Sequence, residues 1–325
     1  MRSIPLLLLL WLACAGLAGC RARAQIPAEP VAIEARRIPL DFDAPRTARL
    51  GALAYAGGLQ LSSESSSAFG GLSGLDVMPD GRFISQNDQG DLLSGRIVLD
   101  AQGRLAGLAD TRIQALTDTA GRTYGSKLEA DAEGLTFLPG GGFAVSFERE
   151  HRIQAYVEGS LPRRLGVPAE AAAFGENRGL EALAVWTDAR GRQRLVQGAE
   201  DGRIWSCDLA GRGCERIVGR TPERGYSLTG LDELPDGRGL IALYRGFDLF
   251  RGMRALVVWL PQGAFDRPVV LARLAAPTTV DNMEGIAATR GADGSVRLYL
   301  ISDDNFLPIQ RTLLLAFDWR PEPRR

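Results

Sequence analysis

The sequence predicts an all-β chain folded as a β-propeller of four-stranded blades, and two observations carry that prediction. Five times a small residue followed by Leu or Ile, usually with an acidic neighbour, opens an apolar run, a Gly-rich turn and a second apolar run ending in polar or acidic residues. The openings are Ser73-Gly74-Leu75-Asp76, Glu133-Gly134-Leu135, Glu181-Ala182-Leu183, Thr229-Gly230-Leu231-Asp232 and Glu284-Gly285-Ile286, with central residues 60, 48, 48 and 55 positions apart. A period of roughly 40–60 residues that holds several short strands and no long helical pattern is the signature of propeller blades. At 325 residues, 45% hydrophobic and 24% charged, the chain has the length and composition for one such domain.

The elements follow in order. Met1-Arg2 and the apolar stretch Ile4 to Leu17 have the charge-then-hydrophobe order of an export signal, too short to favour a spanning helix. Leu17-Ala18-Gly19-Cys20 matches a lipobox with Cys20 as the lipidated residue, so residues 1–20 are expected to be removed and the chain tethered to a membrane. If the source is Gram-negative, Arg21 after Cys20 suits an outer-membrane lipoprotein facing the periplasm. Ala22-Arg23-Ala24 offers a rival cut after residue 24 that releases a soluble periplasmic or secreted protein. Residues 21–47 read as a tether and 48–325 as the propeller domain.

The run from Ala48 to Leu61 reads as strand. Blade one then runs through Leu75 to Met78, the Pro79-Asp80-Gly81 turn and Arg82 to Ser85. Blade two repeats the order with Leu135 to Leu138, Pro139 to Gly142 and Phe143 to Ser146, followed by outer strands at Ile153 to Tyr156 and Arg163 to Leu165. Blade three opens at Glu181, and blade four uses Pro235-Asp236-Gly237 as its turn. Blade five supplies only Thr312 to Asp318 as a third strand, so the Ala48 to Leu61 run is expected to be its fourth and to close the ring. The count is five blades, with six left open by the irregular stretches before Gly71 and between Leu105 and Ala130.

Cys207 and Cys214 flank a Gly-containing turn and are expected to form a disulfide across a hairpin. A zinc site lacks ligands, since His151 is the only histidine. The net charge of −1 supplies no general attraction for nucleic acid, which is not expected as a partner. The basic residues are almost all arginine, with Lys127 the single lysine.

Equivalent positions of a propeller converge around its axis, so two acidic rings are expected. One holds Asp76, Glu133, Glu181, Asp232 and Glu284. The other holds Asp88, Glu148, Glu200-Asp201 and Asp303-Asp304, with Tyr244-Arg245 breaking it in blade four. Carboxylate and amide oxygens converging at a channel mouth suit Ca²⁺ or another hard cation. They suit equally a structural role, accepting hydrogen bonds from neighbouring blades or turns. The metal-ligand candidates are Glu133, Glu284, Asp303, Asp304, Asp88 and Glu148. Arg149, Arg178 and Arg245 are the candidates to hold an anionic substrate. No G-x-S-x-G elbow stands out, and a triad would have only His151, which reads as a solvated turn residue.

Gly70 to Asp76, Glu133-Gly134-Leu135, Asn282-Met283-Glu284-Gly285-Ile286 and Leu300 to Asn305 together resemble the bacterial phytase-like family labelled "esterase-like activity of phytase", over about Leu50 to Trp319. The resemblance implies an exported propeller linked to phosphoester or ester hydrolysis. Blade three departs from the pattern with Ala182 in place of Gly, and blade four lacks the terminal carboxylate. A lysine-rich phosphate cradle is not evident, so phytate is not named as substrate. Two functions stand side by side: a metal-assisted hydrolase of a small anionic or ester substrate at the acidic mouth, and a non-catalytic lipid-anchored propeller that binds a ligand or envelope protein.

Overall fold

The computed structural model describes residues 26–175 and 179–321; the expected export signal, Cys20, the alternative cut after residue 24 and Arg178 lie outside them. Five antiparallel sheets stand around one axis. Blade one is Asp76–Val77, Arg82–Gln86, Asp91–Leu99 and Leu105–Ala115, and blade two is Ala132–Phe137, Phe143–Phe147, Arg152–Tyr156 and Arg163–Leu165. Blade three is Leu180–Thr187, Gln193–Ala199, Arg203–Cys207 and Glu215–Gly219. Blade four is Ser227–Glu233, Gly239–Asp248, Gly252–Pro261 and Val269–Leu274. Blade five is Asn282–Arg290, Val296–Asp303 and Thr312–Trp319, completed by Leu53–Ser62 from the N-terminal side. The innermost strands touch in cyclic order, blade five meeting blade one, so the ring closes with five blades and not six.

Closure rests on a ladder that pairs Thr312 with Leu61 and Trp319 with Leu53. Leu53, Leu59, Leu313 and Leu315 are fully buried there, as expected of a strand covered on both faces. The segment read as a tether is partly sheet: Glu34–Arg37 pairs with Leu59 to Ser62, and Glu29–Pro30 edges blade one. The charged residues of these two strands are exposed while Val31, Ile38 and Leu40 are buried, so apolar anchors hold a polar edge strand against the ring.

Three strand-to-strand hairpins, and the Asp118 turn in the link between blades one and two, share one local device, Asp-x-x-Gly-Arg. At Asp100, Asp118, Asp188 and Asp208 a carboxylate oxygen accepts the backbone N–H groups two and four residues on. The glycine takes a positive φ of 72 to 79° at Gly103, Gly121, Gly191 and Gly211, a region that costs other residues energy. Cys207 and Cys214 form the disulfide across the last of these turns, with Cα atoms 4.1 Å apart.

Adjacent blades are also stitched near the axis. Asp76 accepts the N–H of Phe137 (2.8 Å), the Thr136 hydroxyl accepts that of Val185 (3.2 Å), and Asp232 accepts that of Ala288. These positions are equivalent in blades one, two and four, each reaching the inner strand of the next blade. Burial raises the pKa of both Asp76 and Asp232, against the pull of those hydrogen bonds.

Candidate functional site

The inner strands of blades two, three and five begin at the same end of the axis with Glu133, Glu181 and Glu284, where blade one carries Ser73. Second strands return to that end and deliver Asp88, Glu148, Glu200 and Asp303. With Lys127, Arg245, Asn282 and Asn305 these residues line one cavity of about 250 Å³, seven carboxylates against two cations. The first expected ring therefore splits. Glu133, Glu181 and Glu284 precede the small residue and reach the mouth, whereas Asp76 and Asp232 follow it by two positions. That three-residue offset, about 10 Å along a strand, places Asp76 and Asp232 in the blade-to-blade seam.

Of the candidate metal ligands, Glu133, Glu284, Asp303, Asp88 and Glu148 line the cavity. Asp304 does not. Its oxygens accept the N–H groups of Gly71 (2.9 Å) and Phe306 (3.0 Å) and the Thr312 hydroxyl (2.8 Å), which binds the loop between blade five's second and third strands to the entry of blade one. Among the arginines, Arg245 lines the cavity, donating to Asn282 Oδ1 at 2.8 Å and pairing with Glu284 at 3.2 Å. Arg149 sits beside the mouth at φ 58° and pairs with Asp131 at 2.6 Å.

Two residues escaped the sequence reading. Asp131, Glu133 and Glu148 each offer an oxygen, and these oxygens lie within 4.8 Å of one another. Asp131 stands two residues before Glu133 but closes the short helix before it at φ 21° and ψ 57°, so strand alternation gives no signal for it. Lys127 opens a short helix, Lys127–Ala130, in the link between blades one and two, and its ammonium bonds Asp88 Oδ2. Its signal was being the single lysine among 38 basic residues. The other oxygen of Asp88, a residue only 6% exposed, is buried without a hydrogen-bond partner.

Crowding of buried carboxylates sets the electrostatics. Burial first, then Glu181, Glu284, Asp131 and Glu148, raise Glu133 well above the usual carboxylate range. Burial, then Glu148 and Glu284, does the same to Glu181. Burial lifts Glu284 to about 8 against the pull of Arg245, Glu148 to about 7 with help from Asp131, and Asp303 to about 6. An all-oxygen donor set, mutual repulsion and an orphaned Asp88 oxygen fit a hard divalent cation. Asp131, Glu133 and Glu148 are the residues placed to hold it.

The model of the family described as "Phytase-like: Esterase-like activity of phytase" matches residues 67–306. No curated protein matches the chain. Among solved structures, a catalytically inactive virginiamycin B lyase from Staphylococcus aureus with quinupristin is 10% identical, with a TM-score of 0.41 over 89% of this chain and 88% of that one. A luciferin-regenerating enzyme is 11% identical, TM-score 0.42, over 77% and 93%. A putative oxidoreductase (glucose dehydrogenase) from Thermus thermophilus is 16% identical, TM-score 0.34, over 88% and 100%.

Proposed function

The chain belongs to the Phytase-like family, and on that premise we propose that it hydrolyses phosphoester or ester bonds at the acidic mouth with the help of a bound cation, Ca²⁺ by preference. The observation that carries this reading is the convergence of Asp131, Glu133 and Glu148 within 4.8 Å, the two glutamates lining a cavity that also presents Arg245 and Lys127. Such a cation, when bound, polarises a phosphoryl or acyl oxygen and makes a bound water more acidic.

The chain's own residues supply the rest. Asp131, Glu133 and Glu148 offset the cation's charge and fix its place, and Arg149 orients Asp131 from outside. Arg245, held by Asn282 and Glu284, and Lys127, held by Asp88, set two positive charges at the rim for the substrate's anionic group. Burial raises Glu181 and lifts Glu284 to about 8, so Glu284 is the cavity carboxyl suited to hold a proton near neutral pH. Export belongs to the same proposal, through lipidation of Cys20 at an outer membrane facing the periplasm or through release as a soluble protein.

Turnover of phosphomonoesters, phosphodiesters and carboxyl esters by the purified chain, in EDTA and after Ca²⁺ is restored, tests this. Activity that EDTA removes and Ca²⁺ restores supports it and gives the bond class. Absence of turnover by well-folded protein would replace it with a ligand-binding propeller.

A further inference from the structure

We infer that a cleft between the outer strands of blades four and five, at the end of the propeller opposite the mouth, binds a small organic anion with a flat apolar body. The cleft holds about 800 Å³, against about 250 Å³ at the mouth. Trp319, which lines it, pairs with Val296 at one end of a strand whose other end, Asp303, lines the mouth cavity. The length of that strand separates the two sites by roughly 25 Å.

Its walls are fixed by local hydrogen bonds. The Arg238 carbonyl accepts the Trp259 indole N–H (2.9 Å) and the Gln262 backbone N–H (3.1 Å), holding the turn into blade four's second strand against the end of its third. From the blade-five side, the Ala52 N–H donates to the Leu271 carbonyl at 2.8 Å. Gly51 beside it has φ 57°, and a Cβ there would collide with that same oxygen, so glycine lets the entry of the closing strand press onto blade four's outer strand. The two blades also join through indoles: half-buried Trp259 and buried Trp319 have ring centres 5.2 Å apart at 58°, and both line the cleft.

Charge selects an anion. Arg49, Arg238 and Arg320 line the cleft, and among the described residues no carboxylate does. Arg320 also pairs with Asp293, which lies outside the lining. The balance is the reverse of the mouth, and guanidinium groups match a carboxylate, phosphate or sulfate with paired hydrogen bonds. The neutral lining selects the body. Gln262 supplies its single amide, and that amide is already engaged: Oε1 accepts the Trp186 indole N–H at 2.8 Å and Nε2 faces the Thr187 carbonyl at 3.5 Å. A hydroxylated body would leave its polar groups unmatched against Leu271, Val269 and the indole faces. A flat apolar one stacks on indole and guanidinium planes. The site stands whether or not the mouth hydrolyses anything.

The test is calorimetric titration of the purified chain with naphthoate in EDTA, which keeps a cation at the mouth from taking the carboxylate. Naphthoate is expected to bind at least about tenfold more tightly than naphthalenemethanol, a neutral alcohol of similar shape, and than octanoate, an anion without the flat body. Arg49 is exposed, and Arg49→Glu is expected to weaken naphthoate at least about tenfold with an unchanged melting temperature. In protein labelled with fluorotryptophan, naphthoate is expected to move the fluorine resonances of Trp259 and Trp319 and to leave that of Trp205, in blade three, in place. Resonances of Trp259 and Trp319 that stay fixed at millimolar naphthoate overturn the site. Equal affinity for the alcohol overturns the anion, and equal affinity for octanoate overturns the flat body. Affinity that survives Arg49→Glu and is lost in Arg245→Gln moves the anion to the mouth. Binding that appears only in a chain ended at Pro321 assigns the cleft to the chain's own residues 322–325.

Discussion

Asp303 and Asp304 are neighbours with different duties, and nothing in the residue types tells them apart. Asp303 lines the cavity, while Asp304 spends its oxygens on Gly71, Phe306 and Thr312. Asp304→Ala is expected to lower stability by about 2–3 kcal/mol and to leave Ca²⁺ affinity unchanged; denaturant unfolding beside a calorimetric Ca²⁺ titration separates the two effects. Asp131→Asn is expected to do the reverse, weakening Ca²⁺ binding at least about tenfold with a near-native melting temperature. Motif spacing made Glu133, Glu148 and Glu284 legible as members of the mouth, because repeats impose equivalent positions. It could not reveal Asp131 or Lys127, which stand in the link between blades one and two, outside the repeating unit.

Blades were readable because each strand pair carries its own turn chemistry. Pro-Asp-Gly and the other Gly-rich turns announce where the chain reverses, and apolar runs between them mark strands buried in the stack. Edge strands were harder. Glu34–Arg37 is mostly charged and exposed, so its pairing with Leu59 to Ser62 rests on the buried flanks Val31, Ile38 and Leu40 and not on its own sequence. Within the closing strand, Leu59 is fully buried, and Leu59→Ala is expected to cost about 2–5 kcal/mol by calorimetry. Gly142 tests the turns: it has φ 82°, and a Cβ there would lie 2.2 Å from the Tyr156 carbonyl oxygen. Gly142→Ala is expected to destabilise by more than about 1 kcal/mol, measured as a shift in the urea midpoint without a change in slope.

For the molecule as a whole, five blades close a ring whose net charge is near zero while its mouth gathers seven carboxylates and two cations. Glu148 and Glu284 rise from 4.5 to about 7 and about 8 on burial. A carboxyl raised on folding favours the folded state below its unfolded pKa and loses that advantage as pH climbs through its folded value. In EDTA the melting temperature is therefore expected to fall between about pH 5 and about pH 8, and Ca²⁺ is expected to restore it most at the alkaline end. A melting temperature indifferent to pH and Ca²⁺ would remove the cation from the mouth. The strand Leu53–Ser62 adds the dimension of time. Its partner, Thr312–Trp319, is made only after all five inner strands, so its apolar edge must wait unpaired while the ring is assembled. Folding is then paced by that long-range join, and the waiting edge is where two immature copies would first adhere to each other.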